Sequence, residues 1–252
     1  MKLFSLDGKV AVVTGASRGI GRSIALGMAE AGADVAVAAR TEADLETLVK
    51  EIEDLGRRAI AVPTDVTDRG ALETLFDRTT GELGRFDILV NNAGGTRFVA
   101  PLTTLRPEGW DKVMRLNLDS VFHATQLAAQ RMVEGGGGSI IQIASVAGIQ
   151  GAEGLSFYSA AKGGVRLMTQ AVARELATSN VRVNSIAPGW IATDLNSMLW
   201  SDEGTRKTME DMIPMRRLGT ADEIVGPAVF LASDAASFVT GTTLVVDGGQ
   251  TS

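Results

Sequence analysis

The chain has no cysteine, a single histidine, a single tyrosine and six prolines among 252 residues. Without cysteine there is no disulfide, no thiol nucleophile and no cysteine-bound metal. One histidine, His123 on the helical pattern "LDSVFHATQLAAQRM", makes no imidazole metal cluster and reads as a packed or half-exposed helix residue. No metal site is expected. Positive charge is short as well: 24 Lys and Arg against 30 Asp and Glu leave a net charge of −6 and a pI near 5.0. That is the wrong sign for a surface that displaces counterions from nucleic-acid phosphates. The two "RR" pairs, at 57–58 and 216–217, read as solvated surface pairs. No uninterrupted apolar run reaches the length of a membrane span and no signal-like segment opens the sequence. The expectation is a cytoplasmic protein with neither nucleic-acid nor membrane partners.

What is present describes a globular chain: 45% apolar residues and 29 glycines, in a length that one large α/β domain accommodates. One domain over 1–252 is expected. Short β-branched runs recur at "KVAVVTG", "ADVAVAAR", "RAIAVPTD", "FDILVNNAG", "GSIIQIAS", "VRVNSIAPG" and "GTTLVVDGG". Their near-continuous apolar character is that of strands covered on both faces, hence of a parallel sheet. Helical patterns such as "TEADLETLVKEIEDLG" and "RGALETLFDRTTGELG" fill the gaps and stop at glycine. "EGGGG" at 134–138 reads as a tight turn between helix and strand rather than a linker. Strands alternating with helices imply right-handed crossovers and a Rossmann-type doubly wound α/β fold, its seven parallel strands expected in the order 3-2-1-4-5-6-7. A long insertion precedes the last strand, and a lid-like segment is expected at about 190–215.

"TGASRGIG" at 14–21 follows the first strand and opens the first helix, the context that a dinucleotide fingerprint requires. Gly15 makes the turn, Gly19 lets the backbone approach a pyrophosphate and Gly21 permits close packing, with Ser17, Arg18 and Ile20 between them. The helix N-terminus adds N–H groups and a positive dipole end. An acidic residue near the end of the second strand takes the ribose 2′-hydroxyl of NAD, whereas arginine accommodates the 2′-phosphate of NADP. Here Ala39 stands in the acid's place and Arg40 follows. With Arg18 this points to NADP(H), NAD(H) remaining usable if Arg40 only stacks on adenine.

"YSAAK" places Tyr158 and Lys162 four apart on a helix, hence on one face. Together with "TGASRGIG", "NNAG" at 91–94, "LNL" at 116–118, Ser145 and "PGWIAT" at 188–193, it makes the chain resemble the short-chain dehydrogenase/reductase family over essentially its whole length. The resemblance implies hydride transfer between a nicotinamide and a ketone or secondary alcohol. It implies Tyr158 as general acid or base, Lys162 on the nicotinamide ribose with its charge lowering the tyrosine pKa, and Ser145 on the substrate oxygen. Asn117 would anchor a water relay to Lys162. Asp65 and Val66 would meet adenine; Asn91, Ala93 and Gly94 would lie beside the adenosine ribose; Pro188, Gly189, Ile191 and Thr193 would surround the carboxamide. The chemistry agrees with those residue types, since charge building on a carbonyl oxygen needs an aimed donor and a tuned proton source.

Substrate loops are expected past the carboxyl ends of the strands, at 94–105, 146–157 and 190–215. They carry Phe98, Val99, Ile149, Leu155, Trp190, Leu195, Met198, Leu199 and Trp200, which suggests an apolar pocket for a small-molecule ketone or alcohol. Within the family the chain looks like a carbonyl reductase or a 3-oxoacyl-(acyl-carrier-protein) reductase. A sugar or hydroxysteroid dehydrogenase is the alternative, and a cofactor-binding regulator without catalysis is disfavoured by the intact Ser145, Tyr158, Lys162 and Asn117. The family also implies a homotetramer packed through the helices around 107–133 and 154–178.

Overall fold

The protein is described by a computed structural model covering residues 2–193 and 197–252, the side chains of 198 and 199 excepted. Seven parallel strands form one sheet in the order β3-β2-β1-β4-β5-β6-β7. They are β1 (Val10–Thr14), β2 (Asp34–Ala39), β3 (Ala59–Pro63), β4 (Ile88–Asn91), β5 (Gly138–Ile143), β6 (Val181–Pro188) and β7 (Thr243–Val246). Alternation along β1 sends Ala11 and Val13 into one apolar layer and Val10 and Val12 into the other. Both faces are therefore buried, and every residue of β1 is inaccessible.

Helices α1 (Gly19–Glu30), α2 (Glu42–Asp54) and α9 (Val225–Ala232) cover one face. The other is covered by α3 (Arg69–Leu83), α5 (Ser120–Glu134) and α6 (Ser156–Leu176). Local chemistry sets the ends: Asp68 caps α3 through the Gly70 and Ala71 N–H groups, and Gly84 terminates it in the left-handed region. Helix α4 (Pro107–Met114) runs into α5 through a π-helical turn, Arg115–Asp119. Two short helices, α7 (Ser197–Trp200) and α8 (Glu203–Asp211), occupy the insertion. No helix among the described residues is long and apolar enough to cross a membrane.

Arg58, Arg216 and Arg217 are exposed surface charges and Arg57 is half-buried, and each has a carboxylate partner. Arg57 and Arg58 both bind the buried Asp34, at 3.0 and 2.8 Å, and Arg58 also donates to Leu83 O. They tie β2 to the start of β3. Arg216 and Arg217 bind Asp211 and Glu223. His123 is half-buried in α5, its ring tilted against Phe122 and its Nδ1 3.4 Å from Arg69.

Candidate active site

The carboxyl ends of β1, β4, β5 and β6 are neighbours in the sheet, so the loops that follow them share one edge. After β1 the chain turns through Gly15 and Gly19, at φ +65° and +54°, into α1, whose N-terminus has no side-chain cap. A Cβ on Gly15 would lie 2.9 Å from Ala93 Cα. The first turn of α1 thus keeps its N–H groups for an external acceptor, in a cradle that a side chain would fill; these residues fit a dinucleotide pyrophosphate. Arg18 and Arg40 are both exposed at this end. The Asp65 carboxyl is held below its ordinary value, first by hydrogen bonds from the Thr67 N–H and hydroxyl and then by the charges of Arg40 and Arg115.

The "NNAG" stretch divides between core and cradle. Asn91, the last residue of β4, is buried and donates from Nδ2 to Gln142 Oε1 and Thr125 Oγ1, so its amide hydrogens are committed within the core. Asn92 was not singled out from sequence, yet its Nδ2 donates to Thr14 O and Gly15 O. The Thr14 hydroxyl accepts from the Asn92 and Ala93 N–H groups. Strand alternation was the available signal, because consecutive asparagines on a strand point to opposite sides. Asn92→Ala is expected to raise the NADPH dissociation constant about five- to tenfold through the loosened cradle, measured by titration, since two partly buried hydrogen bonds are lost.

Helix α6 carries Tyr158 and Lys162 against the end of β5. The Lys162 ammonium is buried and donates to Ile143 O at 2.7 Å. Its Nζ stands 5.8 Å from the centroid of the Tyr158 ring. The Ser145 hydroxyl lies beside the Tyr158 phenol, and its Oγ accepts from the Ala147 N–H, capping a short 3₁₀ turn. Ser, Tyr and Lys are therefore brought together. Asn117, fully buried in the π-helical turn, accepts from Gly95 N at 2.7 Å and donates to Gly95 O and Val113 O. Both amide hydrogens are committed to backbone, and Gly94 is pressed between Asn117 and Lys162.

The acidity of the tyrosine differs from the sequence expectation. Burial pushes the Tyr158 phenol up to about 12, and the nearby Ser145 hydroxyl offsets only part of this. Burial also brings the Lys162 ammonium down to about 8. Desolvation is the larger influence because the phenolic end sits inside the fold, although the Tyr158 residue as a whole is half-buried. The folded lysine releases its proton at a lower pH than the unfolded chain does, so stability rises with pH between about 8 and the ordinary value of 10.5. Urea unfolding at about pH 7.5 and 9.5 is expected to show the wild type gaining about 2 kcal/mol relative to Lys162→Met.

Several pocket candidates are committed elsewhere. Phe98 stacks on Phe157 with ring centroids 4.7 Å apart, and Val99 packs where a Gly154 side chain would stand. The Trp200 indole N–H donates to Thr193 O at 3.1 Å, and Thr193 in turn lies 3.4 Å from the position of a Gly19 Cβ. Ile149 is exposed, and Leu155 and Trp190 are half-buried. Leu195 and the side chains of Met198 and Leu199 lie outside the described residues. Pro188 is buried at the end of β6, Gly189 approaches Asp247, and Ile191 bridges to Gly219.

A dinucleotide cradle leading to a neighbouring serine and tyrosine with a buried lysine defines an oxidoreductase working on C=O and CH–OH groups. The model of a family described as enoyl-(acyl carrier protein) reductase matches residues 15–251. A 2-dehydro-3-deoxy-D-gluconate 5-dehydrogenase of Escherichia coli is 42% identical over 250 residues, covering 99% of this chain and 98% of that protein. A 3-oxoacyl-[acyl-carrier-protein] reductase of Thermotoga maritima is 41% identical over 244 residues, covering 97% of this chain and 98% of its own. The crystal structure of a gluconate 5-dehydrogenase from Burkholderia cenocepacia in complex with NADP and tartrate superposes with a TM-score of 0.94 at 39% identity, over 99% of this chain and 98% of that one. The chain belongs to the short-chain dehydrogenase/reductase family.

Proposed function

We propose that residues 1–252 act as one catalytic domain that moves a hydride between NADP(H) and a ketone or secondary alcohol. The observation that carries this reading is the convergence of Tyr158 and the buried Lys162, which donates to Ile143 O, on Ser145 at the end of the dinucleotide cradle. Arg18 and Arg40 bind the 2′-phosphate. Asp65 and Val66 face adenine; Ala93, Gly94 and the Asn91 backbone face its ribose; Pro188, Gly189, Ile191 and Thr193 hold the carboxamide. When bound, the nicotinamide supplies or accepts the hydride.

The chain's own groups handle the oxygen and the proton. Ser145 donates to the substrate oxygen as negative charge builds there, and Tyr158 delivers its phenolic proton to the same atom. A phenol pushed up to about 12 stays protonated at neutral pH, which suits reduction. The reverse direction needs the phenolate and is favoured by alkaline conditions. Lys162 spends one N–H on Ile143 O and has two more for the ribose hydroxyls. Asn117 holds the Gly94–Gly95 turn against Lys162, and a water relay starts from an oxygen of this residue rather than from its amide hydrogens.

A polyhydroxylated or sugar-acid ketone is the second reading, favoured by the names of the gluconate relatives and by the polar rim residues Thr96, Gln150 and Glu153. A screen of ketones, sugars and alcohols with NADPH, NADH and their oxidised forms tests both. Consumption of NADPH with a ketone is expected; binding without consumption on every substrate would indicate a regulator. Arg40→Ala is expected to raise KM for NADPH about tenfold and leave NADH within twofold, because a charge-assisted phosphate contact is worth about 1.4 kcal/mol or more. Equal effects on both cofactors would remove the 2′-phosphate assignment.

A cytoplasmic homotetramer completes the proposal. It is supported by Trp110, Phe122 and Leu167, large apolar side chains exposed on α4, α5 and α6. Light scattering at micromolar concentration is expected to give four copies, and a monomer would contradict it.

A further inference from the structure

Arg97 is an exposed cation whose place is fixed by the catalytic elements on either side of it. Two residues before it, Gly95 exchanges hydrogen bonds with Asn117 in both directions, and Gly94 lies against Lys162. Three residues after it, Ala100 N donates to Gly154 O at 2.9 Å, on the loop that leads into Tyr158. Between those anchors the Thr96 hydroxyl donates to Phe98 O and accepts from Phe98 N, which closes a small turn with Arg97 at its tip. The next side chain, Phe98, is stacked on Phe157, the neighbour of Tyr158.

The backbone at 97 is thus held within three residues of Gly94, at most about 11 Å of chain from the Lys162 contact. The guanidinium itself has no ion pair or hydrogen bond among the described residues, in contrast to Arg57, Arg58, Arg216 and Arg217, which have carboxylate partners. Glu153, on the facing loop, is also exposed and forms no pair with it; the two loops meet through Val99 over Gly154. A pinned turn that presents an unpaired, planar double donor at the rim of a carbonyl site is equipped to read a carboxylate in two-pronged fashion.

We propose that Arg97 is a specificity residue that binds a carboxylate on the substrate, several carbons from the reacting carbonyl. The preferred substrates are then oxo acids and hydroxy acids, in place of the neutral apolar ketones that the rim hydrophobics suggest. This rests on the oxidoreductase reading above.

The test compares matched acids and neutral analogues: 5-oxohexanoate against its methyl ester in reduction, and D-gluconate against D-gluconamide in oxidation. The wild type is expected to favour the acid of at least one pair about tenfold or more in kcat/KM, a charge-assisted pair being the difference. Arg97→Gln is expected to lose that preference by raising KM for the acid, with the neutral analogue held within twofold. Arg97→Lys is expected to recover part of it. Thermal unfolding confirms that each variant is folded. Equal losses of Arg97→Gln on acid and analogue, or no acid preference in the wild type while neutral ketones turn over, would overturn the assignment of Arg97 alone. Absence of turnover on every ketone and alcohol would overturn the oxidoreductase reading beneath it.

Discussion

Tyr158→Phe is expected to lower kcat/KM roughly a thousandfold, about 4 kcal/mol of transition-state stabilisation, while NADPH binding stays within a factor of two. The substitution removes one oxygen atom from a ring that remains packed on α6, so the cradle at Gly15 and Gly19 and the Lys162 bond to Ile143 O are untouched. What disappears is the proton source beside Ser145. The loss falls on kcat because the proton moves only in the transition state. Steady-state kinetics and a binding titration on the same preparation check both halves. Turnover within tenfold of the wild type would mean that water or another group delivers the proton.

Gly21→Ala is expected to damage stability and cofactor binding together. A Cβ there would stand 2.3 Å from Asn92 Nδ2 and 2.4 Å from Gly15 O. The asparagine can swing away only by giving up its bonds to Thr14 O and Gly15 O, and the Gly15 carbonyl is backbone. Helix α1 must therefore move off the turn, at a cost of about 2–3 kcal/mol for overpacking. In a chain of this length that lowers Tm by roughly 5–10 °C. The NADPH dissociation constant rises at least about thirtyfold in the same variant, because the displaced N–H groups are those that face the pyrophosphate. Gly81→Ala is the control: it lies inside α3 with nothing within 4 Å of its Cβ, and is expected to stabilise by up to about 1 kcal/mol.

The sheet was legible because burial on both faces writes the same signal into the five inner strands, β2, β1, β4, β5 and β6. Runs such as "KVAVVTG" and "GSIIQIAS" have no polar alternation to confuse the period, and their spacing by helical patterns leaves a doubly wound sheet as the consistent solution. The proximity of Tyr158, Lys162 and Ser145 was legible from helical spacing and motif order. Three things were not. Which asparagine of "NNAG" faces the cradle depends on where β4 ends, and strand ends are set by tertiary pairing. The upward displacement of the Tyr158 pKa depends on how much water the fold removes from around the phenol, which no local pattern encodes. The rim hydrophobics looked like a pocket, but Phe98 and Val99 are used to bind two loops to each other, leaving the unpaired Arg97 at the tip of the turn.

The central claim is direct hydride transfer at a site where Tyr158 supplies the proton. Reduction of the best ketone or oxo acid from the screen with NADPH deuterated at the transferring position, followed by mass spectrometry of the alcohol, tests it most directly. The expected product carries one deuterium on the carbinol carbon and an ordinary exchangeable proton on oxygen. An alcohol without deuterium, or cofactor that binds and is never consumed, would contradict the account.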